Sequence, residues 1–205
     1  MAHAAVPYSH NPDQQDKTKA LQKTGITGQP LFLFVGRLND NKDPLTVINA
    51  FLQFNLHQPS SRLYMIYHTE ELLKEIQKLL STRINKNSVV LAGKIEHDEL
   101  LYWYNSADFV ISGSHAEAGG VAVCEGMSCG CIPILSNILP FKKITGNGAC
   151  GLLFEKGNAD SLAKALLVAS KMNLYEERKK VLYQFNKDLS FDAIAGQTLE
   201  CIKKL

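Results

Sequence analysis

The sequence lacks any long hydrophobic run: nothing in its 205 residues approaches the roughly 18–20 apolar residues of a membrane-spanning helix. Residues 1–16 carry no apolar stretch of the kind a secretory leader needs. Neither sign of charge dominates, with 22 Lys and Arg against 20 Asp and Glu. The basic pairs Lys142-Lys143, Lys179-Lys180 and Lys203-Lys204 stand far apart, whereas a nucleic-acid surface needs a stripe or cluster. No nucleic-acid partner is therefore expected. Cysteine is scarce and odd in number, at 5, with no C-x-x-C pair. Cys129-Gly130-Cys131 is too tight for the usual zinc spacing. Cys124, Cys129, Cys131, Cys150 and Cys201 read instead as small, reduced, buried side chains of a cytosolic protein. The 6 histidines are scattered, so no metal site is expected. An Asp-x-Asp pair for a catalytic divalent cation is absent.

What remains is an ordinary globular composition, 45% hydrophobic and 20% charged. At this length one domain is expected, burying about 70% of its unfolded surface. Residues 1–28 read as a tail or interdomain linker with one short helix at 13–23; residues 29–205 read as the folded domain. The run Leu31-Phe32-Leu33-Phe34-Val35 has strand length and no alternation, which predicts a strand covered on both faces. Asp43-Pro44 then opens a helix to about residue 54, with Asp as N-cap and Pro in the first turn. The alternation continues. Strands are expected at 63–67, 89–92, 109–111, 132–135 and 152–154, and helices at 69–80, 97–105 and 121–129. Three helices close the chain at 160–170, 175–187 and 192–204. This rhythm predicts an α/β fold with a doubly wound, Rossmann-like parallel sheet, whose ligands bind outside the carboxyl ends of the strands.

Two loops at those ends carry chemistry. After the first strand come Gly36, Arg37 and, five positions on, Lys42. A planar fork and a point charge at that spacing suit a diphosphate. After the fourth strand comes Ser112-Gly113-Ser114-His115-Ala116-Glu117, then Ala118, Gly119, Gly120, Val121 and Ala122, with Glu125 inside the following helix. The free N–H groups of a helix start suit an anion, and a carboxylate accepts from vicinal hydroxyls. Glu125 lies among Val123, Cys124 and Met127, so it is either a ligand for hydroxyls or a structurally paired buried acid. His115 reads as hydrogen-bonding support rather than as a base. Gly146-Asn147-Gly148-Ala149-Cys150-Gly151 matches G-x-G-x-x-G, but an apparent strand, Leu152-Leu153-Phe154, follows where a dinucleotide site needs a helix. No acid lies between Asp160 and Glu176, so an NAD(P) oxidoreductase is disfavoured.

Several blocks, in order, resemble one family. Val35-Gly36-Arg37-Leu38 with Lys42 resembles a V-G-R-L…K block. Glu99-Leu100, Tyr104 and Ala107-Asp108 are similar to E-L…Y…A-D. Glu117 and Glu125 fit E-x7-E, and Glu125-Gly126-Met127-Ser128-Cys129-Gly130-Cys131-Ile132-Pro133 resembles E-A-M-A-x-G-x-P. Gly151-Leu152-Leu153-Phe154 and Ser190-Phe191 resemble later blocks. The chain thus resembles the C-terminal, donor-binding domain of retaining GT-B-fold glycosyltransferases of group 1, from about residue 11 to its end. The resemblance implies transfer of a hexose from a nucleotide-sugar to a sugar, lipid or polysaccharide acceptor. The donor is UDP- or GDP-linked rather than ADP-linked, and there is no cofactor and no obligatory metal. Arg37 and Lys42 would neutralise the diphosphate, Glu117 would hold the sugar and Glu125 the ribose. Gly36 and the backbone from Ala118 to Ala122 would approach sugar and phosphate, and Gly93, Lys94 and Ile95 the base.

The chain departs from the family at Glu117-Ala118-Gly119-Gly120, where E-G-F-G is usual, so an aromatic beside the sugar is gone. The glycine-rich turn usual after the second strand is replaced by Tyr67-His68-Thr69. Every matching block belongs to one half of such an enzyme. The chain therefore reads as a donor half that transfers poorly without an N-terminal acceptor domain, cytoplasmic itself and touching a membrane only through that domain. The alternative is a natural single-domain subunit of a split or regulated transferase.

Overall fold

The computed structural model describes residues 14–203, with side chains from residue 17 onward. The tail expected at residues 1–12, the start of the first helix at Asp13 and its last counterpart's end at Lys204 lie outside the described residues. In chain order the elements are α1 (Gln14–Thr24), β1 (Leu31–Val35), α2 (Pro44–Asn55), β2 (Arg62–Ile66), α3 (Leu73–Ser81) and β3 (Val89–Gly93). Then follow α4 (His97–Ser106), β4 (Phe109–Ser112), α5 (Val121–Ser128), β5 (Ile132–Ser136), α6 (Leu139–Ile144) and β6 (Leu152–Phe154). Three helices, α7 (Ala159–Ala169), α8 (Leu174–Asp188) and α9 (Phe191–Ile202), complete the described chain.

The six strands form one sheet in the order β3-β2-β1-β4-β5-β6, and every neighbouring pair is parallel. The α/β, doubly wound, Rossmann-like class expected from the sequence is the observed one. Strand β1 is buried on both faces, as its unbroken apolar run requires: Phe32 and Phe34 enter one core, Leu31 and Leu33 the other. In the first core Phe32 stacks on Phe109 with centroids 4.9 Å apart and meets Phe51 and Phe54 edge-on. Each fully buried ring of this kind contributes about 2–3 kcal/mol of transfer free energy. In the second core Tyr64, Tyr104 and Val110 pack beneath α4.

Helix α1 lies against α4. Ala20 and Ile26 are buried, Lys23 sits over the Tyr102 ring at 3.9 Å, and Thr24 Oγ1 and Ser106 Oγ are 3.1 Å apart. At the amino ends of the strands, buried Asp108 accepts from Leu31 N at 2.9 Å and from Arg178 Nη2 at 3.1 Å, and pairs with Lys17. That single carboxylate ties α1, β1, β4 and α8 together.

Two expectations need correction. The helix expected from residue 69 begins only at Leu73, so Glu70 and Glu71 precede it. Thr69 Oγ1 accepts from Leu38 N at 3.1 Å, and Leu72 N donates to Leu38 O at 2.9 Å. These bonds hold residues 69–72 open against the β1–α2 loop. Helix α6 was not expected. Pro140 stands at its start and fully buried Phe141 anchors it.

The cysteines were expected to be buried; Cys131 and Cys150 are, Cys124 and Cys129 are partly buried, and Cys201 corrects the expectation. Burial pushes the Cys124, Cys129 and Cys150 thiols each up to about 11, and Cys131 higher still. Cys201 is exposed on α9. A thiol reagent at about pH 8 should therefore label Cys201 fast and the other cysteines only after unfolding, as peptide mapping would show.

Candidate functional site

The strand order reverses between β1 and β4, and there the loops at the carboxyl ends diverge and leave a crevice. The β1–α2 loop begins with Gly36 and is anchored by fully buried Leu38. Asn39 Oδ1 accepts from Lys42 N at 3.1 Å, and Asp43, with φ of 48°, caps α2 by accepting from Thr46 N. The loop thereby turns Lys42 inward, half-buried, and leaves Arg37 exposed.

The β4–α5 loop is fastened to this one. Asn41 Nδ2 donates to Ala116 O and Ala116 N to Asn41 Oδ1, both at 3.1 Å. His115 N donates to Asn41 O at 2.7 Å, and His115 Nε2 lies 3.0 Å from Asp43 Oδ2. His115 is thus the support expected of it. Gly113 admits this approach, because a Cβ there would lie 3.1 Å from Asp43 O and 3.2 Å from Lys42 O.

Glu117 is the meeting point of the two loops. Its Oε1 pairs with Lys42 Nζ and accepts from Ser114 Oγ at 2.8 Å. Ser136 Oγ holds the Ser114 carbonyl at 2.5 Å. Helix α5 starts just beyond, at Val121, after Gly120 in the left-handed region at φ 58°. The first N–H groups of the helix have no carbonyl behind them within it, so this end favours negative charge. One turn in, half-buried Glu125 accepts from Tyr104 Oη at 3.1 Å through Oε2. Burial raises the Glu125 carboxyl above its usual range, while Tyr104 and His97 pull it back.

A cleft of about 440 Å³ opens between these groups and the ends of β2 and β3. Gly36, Arg37, Lys42, Lys94, Ile95, Glu117 and the stretch from Ala118 to Ala122 line it, together with Glu125. Gly93 does not line it; it ends β3 at φ 74° and turns the chain toward Lys94 and Ile95. Lys94 pairs with Glu96 at 2.9 Å, both in solvent, where such a pair is worth little. The cleft thus combines the cations of Arg37, Lys42 and Lys94, a helix start and two carboxylates, a set suited to a diphosphate flanked by hydroxyl-bearing rings.

Sequence reasoning missed Ser114 and Tyr104 as contributors, whereas Tyr67 and His68, noted as replacing a glycine-rich turn, do line the cleft. Ser114 precedes Glu117 by three positions in an exposed-looking loop, and Tyr104 entered as one member of the E-L…Y…A-D block. Among the described residues, no cluster of three or more His, Cys, Asp or Glu is placed to hold a metal ion. No described helix is long and apolar enough to cross a membrane.

The family model for glycosyl transferases group 1 matches residues 16–187. The GDP-mannose:cellobiosyl-diphosphopolyprenol alpha-mannosyltransferase of Xanthomonas oryzae pv. oryzae is 29% identical over 133 residues, which cover 64% of this chain and 35% of that protein. The chain therefore spans about a third of the length of that relative. Among solved structures, Anabaena Alr3699/HepE in complex with UDP is similar with a TM-score of 0.80 at 18% identity, over 94% of this chain and 54% of that one. The C-terminal domain of LpcC, a glycosyl transferase group 1 family protein from Francisella tularensis, is similar with a TM-score of 0.79 at 18% identity. That likeness covers 89% of this chain and 96% of that domain. At such identities the structural likeness speaks for the fold, and the family match for descent. The chain belongs to the group 1 glycosyl transferases, and its fold is that of their C-terminal domain.

Proposed function

We propose that this domain binds a nucleoside-diphosphate-sugar and donates its hexose, with retention, to a sugar, lipid or polysaccharide acceptor. The observation that carries the reading is the cleft at the β1/β4 reversal, where Arg37, Lys42, the α5 start, Glu117 and Glu125 converge. Arg37 and Lys42 face the diphosphate and neutralise charge as it leaves. Glu117 holds sugar hydroxyls, Glu125 the ribose, and the backbone around Ile95 the base. The bond from the anomeric carbon to phosphate breaks, and the acceptor oxygen bonds to the same face. The acceptor proton passes to a phosphate oxygen. No cofactor takes part in this scheme. The acceptor is presented by a second lobe facing the carboxyl ends of the strands, so this chain alone binds donor better than it transfers sugar.

One relative's name specifies a GDP-linked donor and one similar structure holds UDP, which makes both bases worth testing. Calorimetric titration with UDP, GDP and ADP should show binding of UDP or GDP in preference to ADP. Folded protein that binds none of the three would overturn the reading. Glu125→Gln should weaken the preferred nucleotide roughly tenfold, the value of a charge-assisted hydrogen bond to a hydroxyl.

A further inference from the structure

We propose that Tyr104 is a positioning residue for donor binding: its hydroxyl fixes the Glu125 carboxylate with one oxygen bound and the other aimed at the nucleotide. The inference rests on the donor-site reading and extends it to a residue that does not itself line the cleft. Tyr104 comes from the last turn of α4 and is 2% exposed in the second core. A tyrosine so deeply buried needs a partner for its hydroxyl. The partner is Glu125 Oε2, at 3.1 Å.

Three further observations show that the arrangement is built. The Tyr104 backbone carbonyl accepts from buried Cys131 Sγ at 3.0 Å, which pins α4 at this residue to the turn before β5. Gly126, directly after Glu125, leaves room for the ring. A Cβ there would lie 3.4 Å from Tyr104 Cδ1 and 3.2 Å from Val110. Burial also pushes the Tyr104 phenol well above its usual value, so it remains a hydroxyl donor throughout the working pH range. The tyrosine therefore meets from α4 a carboxylate that also lines the cleft. Among the described residues Oε1 of Glu125 makes no hydrogen bond, and it is the oxygen available to ribose hydroxyls.

A donor to Oε2 does two things. It removes rotational freedom from a side chain that would otherwise be mobile at the cleft wall, and it favours the charged form, the better hydroxyl acceptor. In that second role Tyr104 is the larger contributor and His97 the smaller. On α4, His97 acts in the same direction without a hydrogen bond, while Asp98 and Glu99 line the neighbouring groove. Across the groove, Lys23 of α1 lines the same space. On its own helix and the turn after it, Cys124 and Cys129 are neutral thiols. From the cleft side, Lys42 is engaged by Glu117 and Lys94 by Glu96.

The test is Tyr104→Phe, which keeps the ring in the core and deletes only the hydroxyl. Nucleotide affinity of the preferred ligand among UDP and GDP should fall about fivefold at about pH 7.5. The acid limb of binding should move up by about half a pH unit or more. His97 acts on both proteins alike, so the difference between them isolates the hydroxyl. In a Glu125→Gln background the same change should cost nothing further, because the group it positions is gone. An equal loss in both backgrounds would mean that Tyr104 acts through general packing and would overturn the inference. So would a Tyr104→Phe protein with the parent's affinity and acid limb. Carbon-13 NMR titration of the Glu125 carboxyl gives a readout independent of nucleotide: it should move up in Tyr104→Phe, and an unmoved titration sinks the inference. If the parent protein binds no nucleotide, the donor-site reading falls, while the carboxyl titration still decides whether Tyr104 controls Glu125.

Discussion

Lys42→Ala should weaken nucleoside-diphosphate binding roughly 100-fold, and Arg37→Ala nearer tenfold. The two cations differ in setting. Arg37 is exposed, so its pull on a phosphate is screened by water and salt. Lys42 is half-buried, its backbone N–H is fixed by Asn39, and its ammonium faces Glu117. Removing it deletes a charge-assisted contact of about 1.5–3 kcal/mol. It also leaves the Glu117 carboxylate unneutralised beside the incoming diphosphate, adding like-charge repulsion to the loss. Lys42→Ala with Glu117→Gln should therefore bind nucleotide better than Lys42→Ala alone. Calorimetry on the three proteins measures this. Equal affinities for Lys42→Ala and the parent would remove Lys42 from the site.

Asp108→Ala should cost about 3–5 kcal/mol of stability, which for a domain of this size lowers the melting temperature by about 10 °C or more. The carboxylate is 3% exposed and holds two cations and one backbone N–H. Its loss strands the Arg178 guanidinium against the Ala107 carbonyl and leaves Leu31 N without its acceptor at the head of the central strand. Asp108→Asn keeps an acceptor for Leu31 and should lie between alanine and the parent. Nucleotide affinity of whatever fraction stays folded should be unchanged, because Asp108 lies at the amino ends of the strands and the cleft at the carboxyl ends. Urea denaturation with and without nucleotide checks both halves of this expectation.

Much of the architecture was legible because its signals are local. The unbroken run of β1 needs cover on both sides, and Asp43-Pro44 announces α2 whatever surrounds it. The cleft was legible for a different reason: a parallel sheet gathers its post-strand loops on one edge, so Lys42 and Glu117, 75 residues apart, had to be neighbours. The start of α3 was not legible, because Thr69 and Leu72 obey the backbone of Leu38 rather than their own helical preference. Helix α6 is six residues long with a proline at its start, and it exists because Phe141 is buried beneath the α5 start. The contact of the Tyr104 hydroxyl with Glu125 was not legible, because periodicity says where a side chain points and not what its tip touches. The glycine pattern at Gly146 to Gly151 misleads for a similar reason. Gly151 is glycine because a Cβ there would stand 2.2 Å from the Pro133 carbonyl, a matter of crowding between β5 and the turn into β6.

The mutual fastening of the two loops has a consequence for how fast this lobe captures its ligand. Asn41, His115 and Asp43 bond the loops directly to each other. The segments that meet the phosphates have therefore already surrendered most of their conformational entropy during folding, and little ordering is left to oppose association. Nucleotide capture should be a single bimolecular step, linear in nucleotide concentration and set by diffusion and charge rather than by a slow closing motion. Asn41→Ala, which cuts two of the cross-links, should bring in a concentration-independent slow phase in stopped-flow traces while leaving every charge in the cleft in place.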